Sequence, residues 1–453
     1  MSDTVSSSSS ALTERPATPS LAEAALVWLK IGCLSFGGPA GQIALMHREL
    51  VEERRWISER RYLHALNYCM VLPGPEAQQL ATYIGWLMHR TLGGIVAGGL
   101  FVLPSLFVLI ALSWIYCAFG DVLLVAGLFF GIKPAVTAIV LQATHRIGMR
   151  ALKNRVLWGI AAASFVAIFL LDVPFPAIVG LAAIIGWVGA RVLPQAFHAG
   201  GGHGAAGKSF GAALIDDETP PPPHARFSWG RLTLVAIAGF ALWLAPMASL
   251  TAAFGWDHTM TQMGWFFTKA ALLTFGGAYA VLPYVNQGAV GHYHWLTPTQ
   301  MIDGLALGET TPGPLIMVVT FVGFVGGWTQ APFGPEAKLV AALAGAVLVT
   351  WFTFLPSFVF ILAGGPLVES THGNIEFTAP LTAITAAVVG VILNLALFFG
   401  WHVLWPDGWA GRFDWISAAM ALGAAVALFR FRRNVVTVIA VCGAIGLAAS
   451  LLH

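Results

Sequence analysis

The sequence predicts an all-α polytopic membrane protein, and three observations carry that prediction. Of its 453 residues, 57% are apolar and only 10% charged, against roughly 25% charged in a soluble domain. Apolar stretches of about 20 residues, enough to cross a hydrocarbon core of ~30 Å, recur along nearly the whole chain. Finally, residues 28–75 return at 267–314 without a gap, and eleven of those 48 positions are identical. The identities are mostly residues that shape backbone or carry charge: Lys30 with Lys269, Phe36-Gly37-Gly38 with Phe275-Gly276-Gly277, Trp56 with Trp295, and Pro73-Gly74-Pro75 with Pro312-Gly313-Pro314. Unrelated apolar segments share Leu, Val and Ala, so the matches mark an internal duplication.

Residues 1–20 are rich in Ser, Thr and Pro and predict a disordered tail, with neither the basic start nor the cleavage site of a signal peptide. The first repeat covers residues 21–193. Its segment 21–46 is interrupted at Phe36-Gly37-Gly38-Pro39, and its segment 62–90 at Pro73-Gly74-Pro75; smoother spans follow near 93–119, 122–143, 156–171 and 174–193. Residues 194–229 are dominated by Gly, Ala, His and Pro around the acidic patch Asp216-Asp217-Glu218, and predict an extended cytoplasmic linker. One linking transmembrane helix lies within 230–255. The second repeat, 256–453, has broken segments at 261–290 and 299–330 and smoother spans at 338–363, 378–400, 414–429 and 434–452, for about thirteen segments in all.

A single linking span delivers the second copy upside down, and the basic residues agree on balance. The cluster Arg146, Arg150, Lys153 and Arg155 and the cluster Arg430, Arg432 and Arg433 both fall inside only if the copies are inverted. The amino terminus is then cytoplasmic and the carboxyl terminus periplasmic. Residues 47–61 carry five arginines against four glutamates. They fall outside if segments 21–46 and 62–90 cross fully, and inside if those segments fold back at their breaks as re-entrant hairpins; the positive-inside rule favours hairpins.

A break in a membrane helix strips backbone groups of partners and survives only against protein, water or substrate. Gly37-Gly38 and Gly276-Gly277 allow close approach of N–H groups, and a helix starting after each adds the positive end of its dipole. Paired broken helices in inverted repeats are the layout of secondary transporters; close helix packing through small residues is the alternative. Lys30 and Lys269, one before each Gly-Gly break, line an anion path on this reading, or snorkel to the interface. Glu76 follows the first Pro-Gly-Pro and Glu309 precedes the second, which makes both candidates for coupling or gating. His64 and Asp303, equivalent in the repeat, are weaker candidates. Gln78, Gln79 and Thr82 either hydrogen-bond an oxyanion or tie helices together.

The residues Phe36-Gly37-Gly38-Pro39, Trp56, Pro73-Gly74-Pro75-Glu76, Phe275-Gly276-Gly277, Trp295 and Glu309-Thr310-Thr311-Pro312-Gly313-Pro314 resemble those of the chromate ion transporter family in its long, two-domain form. That resemblance implies a bacterial inner-membrane protein that exports chromate and confers chromate resistance. The leading expectation is a secondary transporter moving chromate outward, coupled to protons. Sulfate or another oxyanion, in either direction, is the runner-up. A membrane-embedded enzyme lacks an HExxH, a GxSxG or an acidic cluster within the spans, a primary pump lacks a P-loop, and a channel seldom needs two inverted broken pairs. The net charge of +2 points to no nucleic acid, and the four cysteines stand singly, so no disulfide, metal or cofactor is expected. Because both halves are fused, one chain can hold a complete site, as a monomer or within a homodimer.

Overall fold

The computed structural model describes residues 15–197, 210–370 and 378–452; residues 1–14 of the tail and 198–209 of the linker lie outside the described residues. Regular structure there is helical, with one isolated parallel bridge between Ile57 and Ile215. Six helices are long and apolar enough to cross a membrane, and shorter apolar helices accompany them. The protein is a multi-pass membrane protein.

The first copy begins with α1 (Leu21–Leu34), opened by a capping box between Ser20 and Glu23. Its 14 residues span about 21 Å, short of a full crossing. The helix stops because Gly37 and Gly38 take φ of +87° and +72°, backbone that side chains disfavour. α2 (Gly38–His47) starts at once with Pro39 in its first turn. A π turn over Arg48–Glu53 leads to α3 (Glu59–Cys69), capped by Ser58. After Pro73-Gly74-Pro75 comes α4 (Glu76–Phe119), whose two arms reverse direction at His89 and Arg90. The arms pack so closely that a Cβ on Gly94 would stand 3.0 Å from the Thr82 carbonyl oxygen. α5 (Leu123–Ala151), α6 (Arg155–Leu171) and α7 (Phe175–Val192) complete the copy.

α8 (Trp229–Phe254) links the copies, and only Gly239 and Met247 along it are buried. The second copy then repeats the opening: α9 (Thr259–Leu272), α10 (Ala278–Asn286), a π turn over Gln287–His292, and α11 (Pro298–Thr310) capped by Thr297. Fine details recur at the same offset. Trp56 N–H donates to the Leu50 carbonyl at 2.7 Å and Trp295 N–H to the Ala289 carbonyl at 2.8 Å, while Arg55 and His294 each take φ +51°. α12 (Val318–Gln330) and α13 (Lys338–Ser370) correspond to the arms of α4, joined by a loop instead of a tight reversal. α14 (Thr378–Leu404), α15 (Trp415–Phe429) and α16 (Val435–Leu452) close the chain.

The outer helices pair across copies through small residues, which let membrane helices approach closely. α5 meets α16 where Gly131 faces Cys442 and Gly446. α14 meets α6 where Gly390 faces Ala161, and α7 where Gly186 faces Ala379.

The linker is less free than its composition predicts. Ala213, Ile215 and Ala225 are buried. Leu214 and Ile215 donate to the carbonyls of Arg55 and Trp56, and Ser58 N–H donates to Ile215, at 2.9–3.0 Å. Ser58 Oγ donates to Asp217 at 2.6 Å and Arg61 to the Thr219 carbonyl at 2.6 Å. A few apolar side chains among the Gly and Pro suffice because the charged loop supplies backbone partners. The five-arginine loop therefore shares one face with the linker, joined there by His89 against Pro19 and His224 against Trp86. Residues 287–297 and 329–333 sit instead with the far end of α8, where the Phe254 and Phe333 rings lie 5.6 Å apart and Thr329 donates to the Trp295 carbonyl at 3.1 Å.

Candidate functional site

The breaks of the two copies are interlocked. Gly74 N–H donates to the Thr274 carbonyl at 2.7 Å, and Gly313 N–H to the Ser35 carbonyl at 2.9 Å. Each Pro-Gly-Pro turn thus closes on the residue before the other copy's Phe-Gly-Gly. Each turn glycine also abuts a serine of the opposite copy: Gly74 against Ser357, Gly313 against Ser105. Both serine hydroxyls are buried, with no hydrogen-bond partner among the described residues. Gln42, on α2, donates to the Gly313 carbonyl at 2.5 Å.

This arrangement divides the predicted residues. The prolines at 73, 75, 312 and 314 have no N–H, and the turn glycines spend theirs on each other's copy, so the Pro-Gly-Pro turns act as clamps. The N–H groups of Gly37, Gly38, Gly276 and Gly277 find no acceptor among the described residues. They stand at the starts of α2 and α10, helices of 10 and 9 residues, where unpaired N–H groups and the helix dipole favour an anion. Phe36 and Phe275 flank them, Phe36 exposed and Phe275 half-buried.

Carboxylates gather at the second break only. Glu76, at the start of α4, reaches across so that a Cβ on Gly277 would lie 3.7 Å from its Oε1, and a Cβ on Gly276 would lie 3.5 Å from the hydroxyl of Thr385 on α14. Glu309 is buried and accepts a hydrogen bond from Tyr279, two residues past the break. Arg150 acts electrostatically on Glu76, and Arg146 on both Glu309 and Tyr279. Both arginines are exposed, one turn apart near the end of α5.

The lysines part company. Lys30 Nζ lies 2.5 Å from Glu49 Oε1, with the lysine side chain 46% exposed and the glutamate 1%; it turns toward the charged loop. Lys269 lies over the Trp265 ring at 5.6 Å. His64 is half-buried on α3. Asp303, its repeat equivalent, is not at a break: it sits with Lys133 at 3.6 Å and accepts from Tyr116 at 3.0 Å. Gln78 donates to Thr82 one turn on within α4 at 3.0 Å, and Gln79 to the Pro73 carbonyl in the turn before that helix at 2.8 Å. These bonds are local and join no two helices, while each glutamine keeps a buried Oε1 without a hydrogen-bond partner among the described residues.

Five contributors escape the sequence reading. Lys133 is a cation inside an apolar span, the signal that singled out Lys30, but it has no partner in the repeat. Arg146 and Arg150 read only as markers of sidedness. Gln42 and Tyr279 are set apart by nothing short of tertiary contact.

The model of the chromate transporter family matches residues 22–187 and 261–447, one stretch per copy. A chromate transport protein of Pseudomonas aeruginosa is 36% identical over 372 residues, covering 81% of this chain and 77% of that protein. One of Cupriavidus metallidurans is 29% identical over 440 residues, covering 96% and 95%. A probable chromate transport protein of Synechococcus elongatus is 28% identical over 383 residues, covering 84% and 85%. No solved structure matches. With both halves matched and more than two thirds of each of these relatives covered, the chain belongs to the chromate transporter family.

Proposed function

We propose that this protein is a secondary transporter that exports chromate, a tetrahedral oxyanion, across a bacterial inner membrane in exchange for protons, and so confers chromate resistance. The observation that carries the proposal is the set of four glycine N–H groups at the starts of α2 and α10 that have no acceptor among the described residues. In a membrane interior each unpaired N–H costs several kcal/mol, so water or an anion belongs there. Unpaired N–H groups at two helix starts suit an anion better than a neutral solute. The printed names of the relatives from P. aeruginosa and C. metallidurans favour chromate as that anion.

The two copies are inverted repeats with re-entrant hairpins. Supporting this, the outer ends of α2 and α3 meet the linker, whereas those of α10 and α11 meet the far end of α8. With the arginine-rich loop and linker cytoplasmic, the amino terminus lies inside and the carboxyl terminus outside. Arg146 and Arg150 then draw anions from the cytoplasm, the Gly-Gly breaks hold them, and Glu76 and Glu309 carry the proton.

Radiolabelled chromate uptake into everted vesicles tests this. Accumulation that collapses with a protonophore is the expected result. Uptake of sulfate without chromate would overturn the cargo, and accumulation confined to right-side-out vesicles would overturn the direction.

A further inference from the structure

We propose that the cavity between α4, α5 and α11 is a second oxyanion site, on the face opposite the linker. Lys133 is its anion contact, and Asp303 is a built-in competitor that holds the lysine when the site is empty. This rests on the oxyanion-transport reading and names where the anion leaves.

The cavity encloses about 390 Å³ and is lined by Tyr116, Lys133, Asp303, Gln300, Trp328 and Thr329. One water occupies about 30 Å³, so a tetrahedral dianion fits with part of its hydration shell. Gln300 begins α11, and Trp328 and Thr329 end α12, all beside the far end of α8. Three observations mark the chemistry. Lys133 is a cation within an apolar span, where charge is costly unless paired or used. Its partner is held loosely: Nζ stands 3.6 Å from Asp303 Oδ2, against about 2.7–2.9 Å for a tight charge-assisted bond. And Asp303 is lopsided, since Oδ2 takes both Lys133 and Tyr116 while Oδ1 is buried without a partner. An ammonium has three donors, and a single distant carboxylate oxygen leaves capacity for another anion. Gln300 supplies a neutral polar group in the lining, while the Thr329 hydroxyl donates to backbone carbonyls. Asp121 at the rim repels an anion, which suits release more than tight retention.

Equilibrium binding of radiolabelled chromate and, separately, sulfate to the purified full-length protein tests the site, with melting temperatures to verify folding. Asp303→Asn removes the competitor and is expected to bind about tenfold tighter. Lys133→Gln is expected to bind about tenfold weaker or worse, and Lys133→Arg to retain binding. Wild-type chromate affinity in both Asp303→Asn and Lys133→Gln would overturn the site and leave the transport reading intact. Sulfate binding that depends on Lys133, without chromate binding, would keep the site and remove chromate as cargo. Binding of neither anion by the wild-type protein would overturn both.

Discussion

The two Phe-Gly-Gly breaks share sequence, backbone and helix starts, yet their surroundings differ. Around the first, a Cβ on Gly37 or Gly38 would meet nothing within 4 Å, Phe36 is exposed, and the polar neighbours Ser35 and Gln42 are neutral. Around the second, Glu76, Thr385, Tyr279 and Glu309 crowd in, and two arginines bear on the carboxylates. Duplication supplied two equal cradles. Divergence then placed titratable chemistry on one and left the other open. Titratable side chains therefore crowd the second break, while the groups beside the first are neutral.

The largest test of that difference lies in the glycines. Gly313→Ala would set a Cβ 2.7 Å from that of Ser105, at φ +97°, and is expected to cost about 3 kcal/mol or more. Gly37→Ala meets open space and should cost only the backbone strain of about 1–2 kcal/mol. Melting temperatures in matched detergent compare them; equal losses would mean that the clamps are no tighter than the cradles.

Next in size is Glu309→Gln, expected to lower proton-driven chromate uptake about tenfold or more. Met70→Gln, at the equivalent position of the first copy, should leave uptake near the wild-type rate. Equal effects in the vesicle assay would show that proton handling is not confined to the second break.

The lysines offer a smaller contrast. Lys30→Met strands the buried Glu49, which retains Arg54 at 3.6 Å, and is expected to cost about 1–2 kcal/mol, discounted for the exposure of Lys30. Lys269→Met loses no ion pair and should stay within about 0.5 kcal/mol. If uptake nevertheless falls only in Lys269→Met, the second lysine alone serves the anion path.

Smallest is Asp217→Ala, which removes the Ser58 hydrogen bond on the linker face, at about 1 kcal/mol or less. Hydrogen exchange of residues 55–58 would report it, and unchanged protection would mean that the backbone contacts of Leu214 and Ile215 suffice.

Much of this was readable beforehand from particular residues. Glycine and proline act on their own backbone, so Gly37-Gly38 and Pro73-Gly74-Pro75 announced breaks without any knowledge of neighbours. Repetition then said that the breaks come in pairs. What each break touches depends on residues far away in the chain. Lys30 looked equivalent to Lys269 until Glu49 appeared beside it, and Asp303 looked like a loop-edge residue until α5 brought Lys133 to it.

Composition, local backbone preference and internal repetition need no partner, so the membrane class, the four breaks and the family are legible along the chain. Packing set the rest: each Pro-Gly-Pro turn clamps the opposite copy, the carboxylates collect at the second break, and the linker rests on the arginine-rich loop. Those are contacts between residues far apart in the chain, 278 positions for Gly313 and Ser35, and a contact of that kind exists only once the helices have packed.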